Sequence, residues 1–296
     1  LRWGFDRVMV RVVLMNVVAL SVFCSAVVLS DGFGLYVFNT QYREDLKRLS
    51  PSPAAYTYPY ICQNRHLSDL ELRSKGCIIN SYREPSVLLW GDSNAAHYVG
   101  VMGAFAEASG FAFRNAAHSS CPPLLEGAAA TQRSDNVANC LASLAVVSQY
   151  LDNYSTVALG AAWADYADKS ESFFRDLEAT IDILVDQGKE VIILAQVPNF
   201  QTVNRKCQQK ALKLPRLSCE DSGPEDPRVA KNNTRLLQLV ARRDNVHYFD
   251  PRGQLCPDER CSAYFNGQLA YFNTTHLNMP GSWAIGRQII REQGVP

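Results

Sequence analysis

Two residues pose the chemical question. Ser93 stands in the tripeptide Gly91-Asp92-Ser93, and His276 stands in YFNTTHLNMPG (271–281), close to the last residue of the sequence. A serine hydroxyl becomes a nucleophile when a neighbouring base takes its proton, and an imidazole is suited to that task near neutral pH. The two are 183 residues apart, so only a fold can join them. A histidine base works best when a third group orients it. Three residues before His276 stands Asn273, and the nearest carboxylate upstream is Glu259.

The elements around Ser93 favour an exposed position. Ser86 to Trp90 is a short apolar run bounded by Pro85 and Gly91, which reads as a buried strand. From Asn94 to Ser109 apolar residues recur at helical spacing, and Gly110 ends the run as a C-cap would. Gly91-Asp92-Ser93 is then a strand-to-helix turn, with the serine hydroxyl at the edge of the sheet. The Ser93 N–H opens the helix and points into the same space, where it can stabilise an oxyanion with help from the helix dipole. The plain alternative is that Asp92 or Ser93 only caps the helix.

The same alternation continues along the chain. Residues 111–117, 155–163, 190–197 and 246–250 read as strands. Ala138–Leu151, Ser170–Gln187, Val229–Arg242 and Gly281–Gln293 read as helices, and 201–228 is a polar loop. Several of these strands are apolar throughout, which predicts an α/β fold: a parallel sheet flanked by helices on both faces. Sites in such folds lie beyond the carboxyl ends of the strands, where Ser93 stands.

Composition narrows the function. Lys+Arg and Asp+Glu both number 29, which excludes an electrostatic nucleic-acid binder. Apolar residues make up 47% of the chain, enough to bury a core. Val12 to Ser30 carries no charge over nineteen residues, about the length that crosses a bilayer, with Arg2, Arg7 and Arg11 before it. The basic flank places the rest of the chain outside the cytoplasm. A cleaved signal peptide would have a shorter apolar core. The expected organisation is a transmembrane helix at 1–31, a linking segment at 32–84 and a catalytic domain at 85–296. Of nine cysteines, Cys24 lies in the apolar run and eight remain: Cys62 and Cys77, Cys121 and Cys140, Cys207 and Cys219, Cys256 and Cys261. An even count in an exported chain suggests disulfides, with neighbour pairing as one of many connectivities. No CxxC spacing occurs, so zinc is the weaker reading, and no metal ligand set is assigned.

VLLWGDSNAAHYVG at the first strand of the body, with HLNMPG before the last helix, resembles the SGNH or GDSL superfamily of serine esterases and acyltransferases. CPPL at 121–124, AAWADY at 161–166, YFDPRGQLC at 248–256 and HLN at 276–278 bring the resemblance closer to one subgroup. These are the SGNH domains fused to membrane acyltransferases of the acyltransferase-three family. The likeness covers about residues 60 to 290. It implies that Ser93 is the nucleophile and His276 the base, and that the leading helix is the last one of a larger membrane domain. It further implies O-acylation, usually O-acetylation, of a cell-envelope polysaccharide such as O-antigen or exopolysaccharide. The location would be the bacterial inner membrane, with the SGNH domain in the periplasm. The acyl group would come from cytoplasmic acyl-CoA through the membrane part, and no cofactor is implied for this domain.

Two positions depart from the family pattern. The third block is LGAAWADY, without the asparagine whose amide helps to bind the oxyanion. The donors expected instead are the Ser93 N–H and a backbone N–H near Ser119 or Ser120, while Trp163 is read either as a sugar platform or as a core aromatic. The position of the usual aspartate in D-x-x-H is Asn273. Either a Ser–His pair works with Asn273 alone, or Asp250 or Asp165 stands in, or the site is impaired. His97 and His118 are secondary candidates for the mouth of the site. Asn153, Asn232 and Asn273 begin N-x-S/T sequons, which matter only in a eukaryotic secretory pathway. Two rival functions stand beside this one: a carbohydrate esterase or deacetylase using the same Ser–His site, and, of another class, a catalytically weak glycan-binding domain.

Overall fold

The structure is a computed structural model that describes residues 7–30, 32, 40–201, 203–214, 216–219 and 222–294. The expected boundary at Asp31 and residues 33–39 of the expected linking segment lie outside the described residues. The chain divides into two compact units, Leu1–Ser50 with Lys206–Cys219, and Pro51–Arg205 with Glu220–Pro296.

The smaller unit holds the helix Arg7–Leu29, which has no buried residue and is long and apolar enough to cross a membrane. A second helix, Thr40–Arg48, lies within the stretch expected to link. The Gln209 amide donates to Leu46 O at 3.3 Å and Ser50 Oγ at 3.0 Å, and Cys207 is bonded to Cys219.

The larger unit is built on a seven-stranded sheet. Its strands are β1 (Gln63–Asn64), β2 (Ile78–Ile79), β3 (Val87–Gly91), β4 (Phe113–His118), β5 (Thr156–Gly160), β6 (Glu190–Leu194) and β8 (Val246–Phe249), and β7 (Ser222–Gly223) pairs elsewhere with β9 (Cys261–Ser262). The order is β1-β4-β3-β5-β6-β8, all parallel, with β2 antiparallel on β4. Side chains alternate across the pleat. Leu88, Trp90, Val157, Leu159, Val191 and Ile193 enter the core on one face, while Leu89, Ala158 and Leu194 enter the core on the other. Both layers are buried, which is why these strands read as unbroken apolar runs rather than alternating ones.

Three differences from the sequence expectation bear on the site. The helix after Ser93 is two helices, Ser93–His97 and Val99–Ser109, stepped at Tyr98. The strand expected to reach residue 163 stops at Gly160, and Trp163 instead opens the helix Trp163–Lys169. Residues 63–64 and 78–79, expected as linker, instead join the sheet as β1 and β2. Two-residue strands carry no readable period. What holds them is the Cys62–Cys77 disulfide and the buried Asn115 side chain, which accepts the Cys62 N–H at 2.7 Å and donates to Tyr60 O and Cys77 O. The other cysteines pair as neighbours too: Cys121 with Cys140 and Cys256 with Cys261.

One packing seam joins the end of the chain to the Ser93 region. The last helix, Met279–Gln293, lies against Val99–Ser109 with no room for a side chain at Gly103 or Gly286. A Cβ on Gly103 would sit 2.4 Å from the Trp283 ring, and one on Gly286 would sit 2.8 Å from Val101 O. Ser282 bolts the seam: its hydroxyl donates to His97 O at 2.6 Å and accepts the Val101 N–H at 3.0 Å.

Candidate active site

Ser93 is the first residue of its helix and sits at the carboxyl end of β3. The chain turns there because Gly91 allows it: a Cβ at that position would lie 1.7 Å from Gly160 O on the neighbouring strand. Asp92 is the helix cap. One carboxylate oxygen accepts the Asn94 N–H at 2.7 Å, and the other accepts the Ala162 N–H at 3.1 Å and the Tyr166 hydroxyl at 2.8 Å. Burial pushes the Asp92 carboxyl up, and these hydrogen bonds oppose it. With capping assigned to Asp92, the Ser93 hydroxyl is free to face elsewhere.

It faces His276. Ser93 Oγ lies 2.7 Å from His276 Nε2. The histidine is carried by a tight loop in which Tyr271 bridges Leu277 and the Phe272 N–H donates to His276 O. That loop leads directly into the terminal helix, whose cap is Asn278. The seam between the terminal helix and Val99–Ser109 therefore also sets the distance from base to nucleophile.

Asn273 supplies the other side of the ring. Its Oδ1 accepts the backbone N–H of Thr275 at 2.9 Å and of His276 at 2.9 Å, and it lies 3.0 Å from His276 Nδ1. The two backbone donors need an acceptor, so they hold the amide with its oxygen toward the ring. Nδ1 then carries the proton and donates, and Nε2 is left with a lone pair facing the Ser93 hydroxyl. Thr275 Oγ1, 2.8 Å from Nδ1 and 3.2 Å from Asn273 Oδ1, completes the cluster. Thr275 is not among the residues expected from sequence; its signal is the Asn-x-Thr turn itself, which offers both a carbonyl and a hydroxyl to the next residue.

No carboxylate touches the ring among the described residues. Asp250 accepts the Arg252 N–H at 2.8 Å and the Tyr248 hydroxyl at 3.3 Å, and Asp165 lies 3.8 Å from Arg228. Neither stands in for the missing aspartate. Without an anionic partner, burial lowers the His276 pKa to about 4. His97 packs edge-on to His276 with ring centroids 5.9 Å apart, and its buried nitrogens have no hydrogen-bond partner. Burial, with a smaller contribution from His276, lowers the His97 pKa well below the usual histidine value.

A cavity of about 190 Å³ opens over the pair. Ala54, Ala55 and Phe272 form an apolar wall, with Gln63, Ser119 and His97 on the polar side. Ala54 and Ala55 come from SPSPAAYTYPY, a stretch whose prolines give no helical or strand period to read. Two expected donors and one expected sugar contact fall away. The Ser119 N–H donates to Asn64 O at 2.8 Å, and Ser120, exposed at positive φ, faces a neighbouring hollow rather than the cavity. Trp163 is fully buried with its indole N–H on Leu194 O at 2.7 Å, so it is a core aromatic and offers no face to a sugar. The cavity holds one other amide, that of Gln63, whose Nε2 donates to Ser119 Oγ at 3.1 Å. His118 is buried at the end of β4 and does not line the cavity. His66 is exposed, and His247 pairs with Glu190 at 2.8 Å. Among the described residues no group of three or more His, Cys, Asp or Glu is arranged to hold a metal.

Residues 61–291 match the family described as "SGNH domain (fused to AT3 domains)". No curated protein matches the sequence. Among solved structures, the chain is similar to the periplasmic domain of the lipopolysaccharide acetyltransferase of Salmonella ser. Paratyphi A. The TM-score is 0.61 and the identity 16%, over 87% of this chain and 98% of that one. The chain is also similar to the salicylyl-acyltransferase SsfX3 of a tetracycline biosynthetic pathway, with TM-score 0.40 and 14% identity, over 72% of this chain and 57% of that one.

Proposed function

Because the chain belongs to the family of SGNH domains fused to AT3 domains, we propose that it is a serine-dependent O-acyltransferase. It passes an acyl group, most simply acetyl, through a Ser93 ester to a hydroxyl of a cell-envelope polysaccharide. The observation that carries the reading is the 2.7 Å contact between Ser93 Oγ and His276 Nε2 across 183 residues of chain.

The chemistry follows from the geometry. His276 Nε2 takes the Ser93 proton as Oγ bonds to the acyl carbonyl carbon. Charge moves onto the carbonyl oxygen, where the Ser93 N–H and the Gln63 amide serve as donors in place of the missing asparagine. Collapse expels the donor's leaving group, which takes the proton from His276. The acceptor hydroxyl then gives its proton to Nε2 as its oxygen bonds to the ester carbonyl carbon; collapse breaks the bond to Ser93 Oγ, which takes the proton back from His276, and the acyl group leaves on the acceptor. Asn273 and Thr275 hold the ring through both steps. Asn273 cannot offset the imidazolium charge, so the base works as a pair with an orienting amide rather than as a full triad.

The apolar helix Arg7–Leu29 and the four disulfides support placement of the domain on the outer side of the bacterial inner membrane. A membrane acyltransferase domain in the same protein would supply the acyl group, drawn ultimately from acyl-CoA. The similar Salmonella domain belongs to a lipopolysaccharide acetyltransferase, which agrees with an envelope glycan as acceptor.

Labelling of the chain by a fluorophosphonate, abolished in Ser93→Ala, is the expected result. An unlabelled wild-type chain would reduce the site to binding alone. Acetyl release measured with and without glycan then separates transfer from hydrolysis: product on the glycan supports the transferase, and release to water unaffected by glycan supports an esterase.

A further inference from the structure

Beside the Ser93 cavity lies a larger hollow of about 630 Å³. The two share Tyr56, Gln63 and Ser119, so the larger hollow adjoins the cavity of the nucleophile. Its lining differs in kind from the apolar wall near Ser93. Amides and hydroxyls dominate, among them Asn64, Ser120, Asn136 and Asn139. These groups suit a polyhydroxylated ligand and would be wasted on a lipid chain. Tyr56, 59% exposed, stands on the shared rim, where an aromatic face can lie against a sugar ring.

Charge adds a second constraint. Arg65, Arg133 and Lys169 line the hollow against a single carboxylate, Asp135. Asp135 is taken up by Arg133 at 3.4 Å. Neither Arg65 nor Lys169 makes an ion pair among the described residues, and the Lys169 ammonium lies 5.2 Å from the centre of the Tyr166 ring. The overall charge of the chain is zero, so the hollow carries a local positive excess, and it is the one beside the Ser93 cavity. Two disulfides fasten its walls: Cys62 adjoins Gln63, while Cys121 and Cys140 adjoin Ser120 and Asn139. Walls held in this way need little ordering when a ligand enters.

We propose that the hollow is the acceptor subsite and that it binds an anionic stretch of glycan, the charge carried by a carboxylate or a phosphate on a sugar next to the acylated one. The proposal rests on the acyl-transfer reading of the Ser93 site and adds the charge class of the acceptor. An arginine fork serves both anions equally well, so the test has an arm for each.

The chain in detergent micelles is titrated calorimetrically with tetragalacturonate, with its carboxyl-reduced counterpart, and with a phosphorylated oligomannoside. Anionic sugars are expected to bind roughly tenfold tighter than the neutral one at low salt, an advantage that shrinks as salt is added. Preference for one anion alone also supports the subsite and identifies the group. The variant combining Arg65→Gln, Arg133→Gln and Lys169→Gln should bind all three sugars alike while keeping its circular dichroism. If it does not fold, Arg65→Gln alone, at an exposed position, should narrow the gap. Neutral and anionic sugars binding equally to the wild type would overturn the inference. Fluorophosphonate labelling in the same samples separates the two readings: labelling without charge preference sinks only the subsite, and charge preference without labelling sinks only the acyl transfer.

Discussion

Asn273 and His276 are joined twice. The amide oxygen accepts the histidine's backbone N–H at 2.9 Å and lies 3.0 Å from its ring Nδ1. An isolated asparagine facing an imidazole can turn either its oxygen or its nitrogen toward the ring, and the nitrogen would fix the wrong tautomer. Here the backbone removes the choice. The same geometry leaves the imidazolium without a counter-charge, and the consequences can be measured.

Restoring the carboxylate should raise the base. In Asn273→Asp an anion lies beside Nδ1 and lifts the His276 pKa from about 4 toward the usual histidine value. The acid limb of the pH–rate profile for p-nitrophenyl acetate hydrolysis should move up by at least a unit or so, with kcat rising at pH values above the limb. An unmoved limb would show that His276 is not the group titrating.

Carboxylates elsewhere should be dispensable for the chemistry. Asp250→Ala and Asp165→Ala should keep kcat within a few fold, while Ser93→Ala and His276→Ala each lose about a thousandfold or more. Loss in Asp250→Ala as complete as in Ser93→Ala, with the fold intact by circular dichroism, would make Asp250 the missing third member.

Gln63→Ala removes the one cavity amide able to face the oxyanion. Loss of an oxyanion donor costs on the order of a hundredfold in kcat with little change in KM. A matching rise in KM with kcat intact would reassign Gln63 to ground-state binding.

Acid should destabilise the fold through its buried histidines. His276 has a folded pKa of about 4, below the unfolded value near 6.5, so the unfolded chain binds more protons between those limits. Stability is then full above about pH 6.5 and falls as pH drops toward 4, by up to about 3 kcal/mol from His276. His97, also held neutral by burial, adds to the slope. His97→Phe should flatten the dependence of Cm on pH over that window, and an unchanged slope would show that His97 does not contribute.

The sheet and the two reacting residues are legible in the sequence for physical reasons. Both faces of β3, β5 and β6 are buried, so their apolar runs are unbroken and bounded by turn residues. Gly91 and Gly110 mark the turn before and the cap after the first helical region. Gly91-Asp92-Ser93 and the histidine before a proline-started helix complete the pattern. What escapes is whatever depends on long-range hydrogen bonds. β1 and β2 exist because Asn115 and a disulfide hold them. Trp163 reads equally as a sugar platform or a core aromatic until its indole is seen to be spent on Leu194 O. The Ser119 N–H is already committed to Asn64 O, and Gln63 reaches the cavity from a segment that reads as linker. Asn273 leaves three readings open in one dimension, and its backbone partners show how an amide can orient the ring.

The glycine seam between Val99–Ser109 and Met279–Gln293 has a consequence for how the protein would tolerate change. Helices packed this closely at Gly103 and Gly286 leave little slack to absorb a shift, so strain at one end is passed on to the other. Ser93 and His276 sit just beyond one end of that rigid joint. Small alterations far out on the terminal helix should therefore appear first as slower catalysis and only later as unfolding. In such a molecule turnover reports mechanical fit more sensitively than melting temperature does.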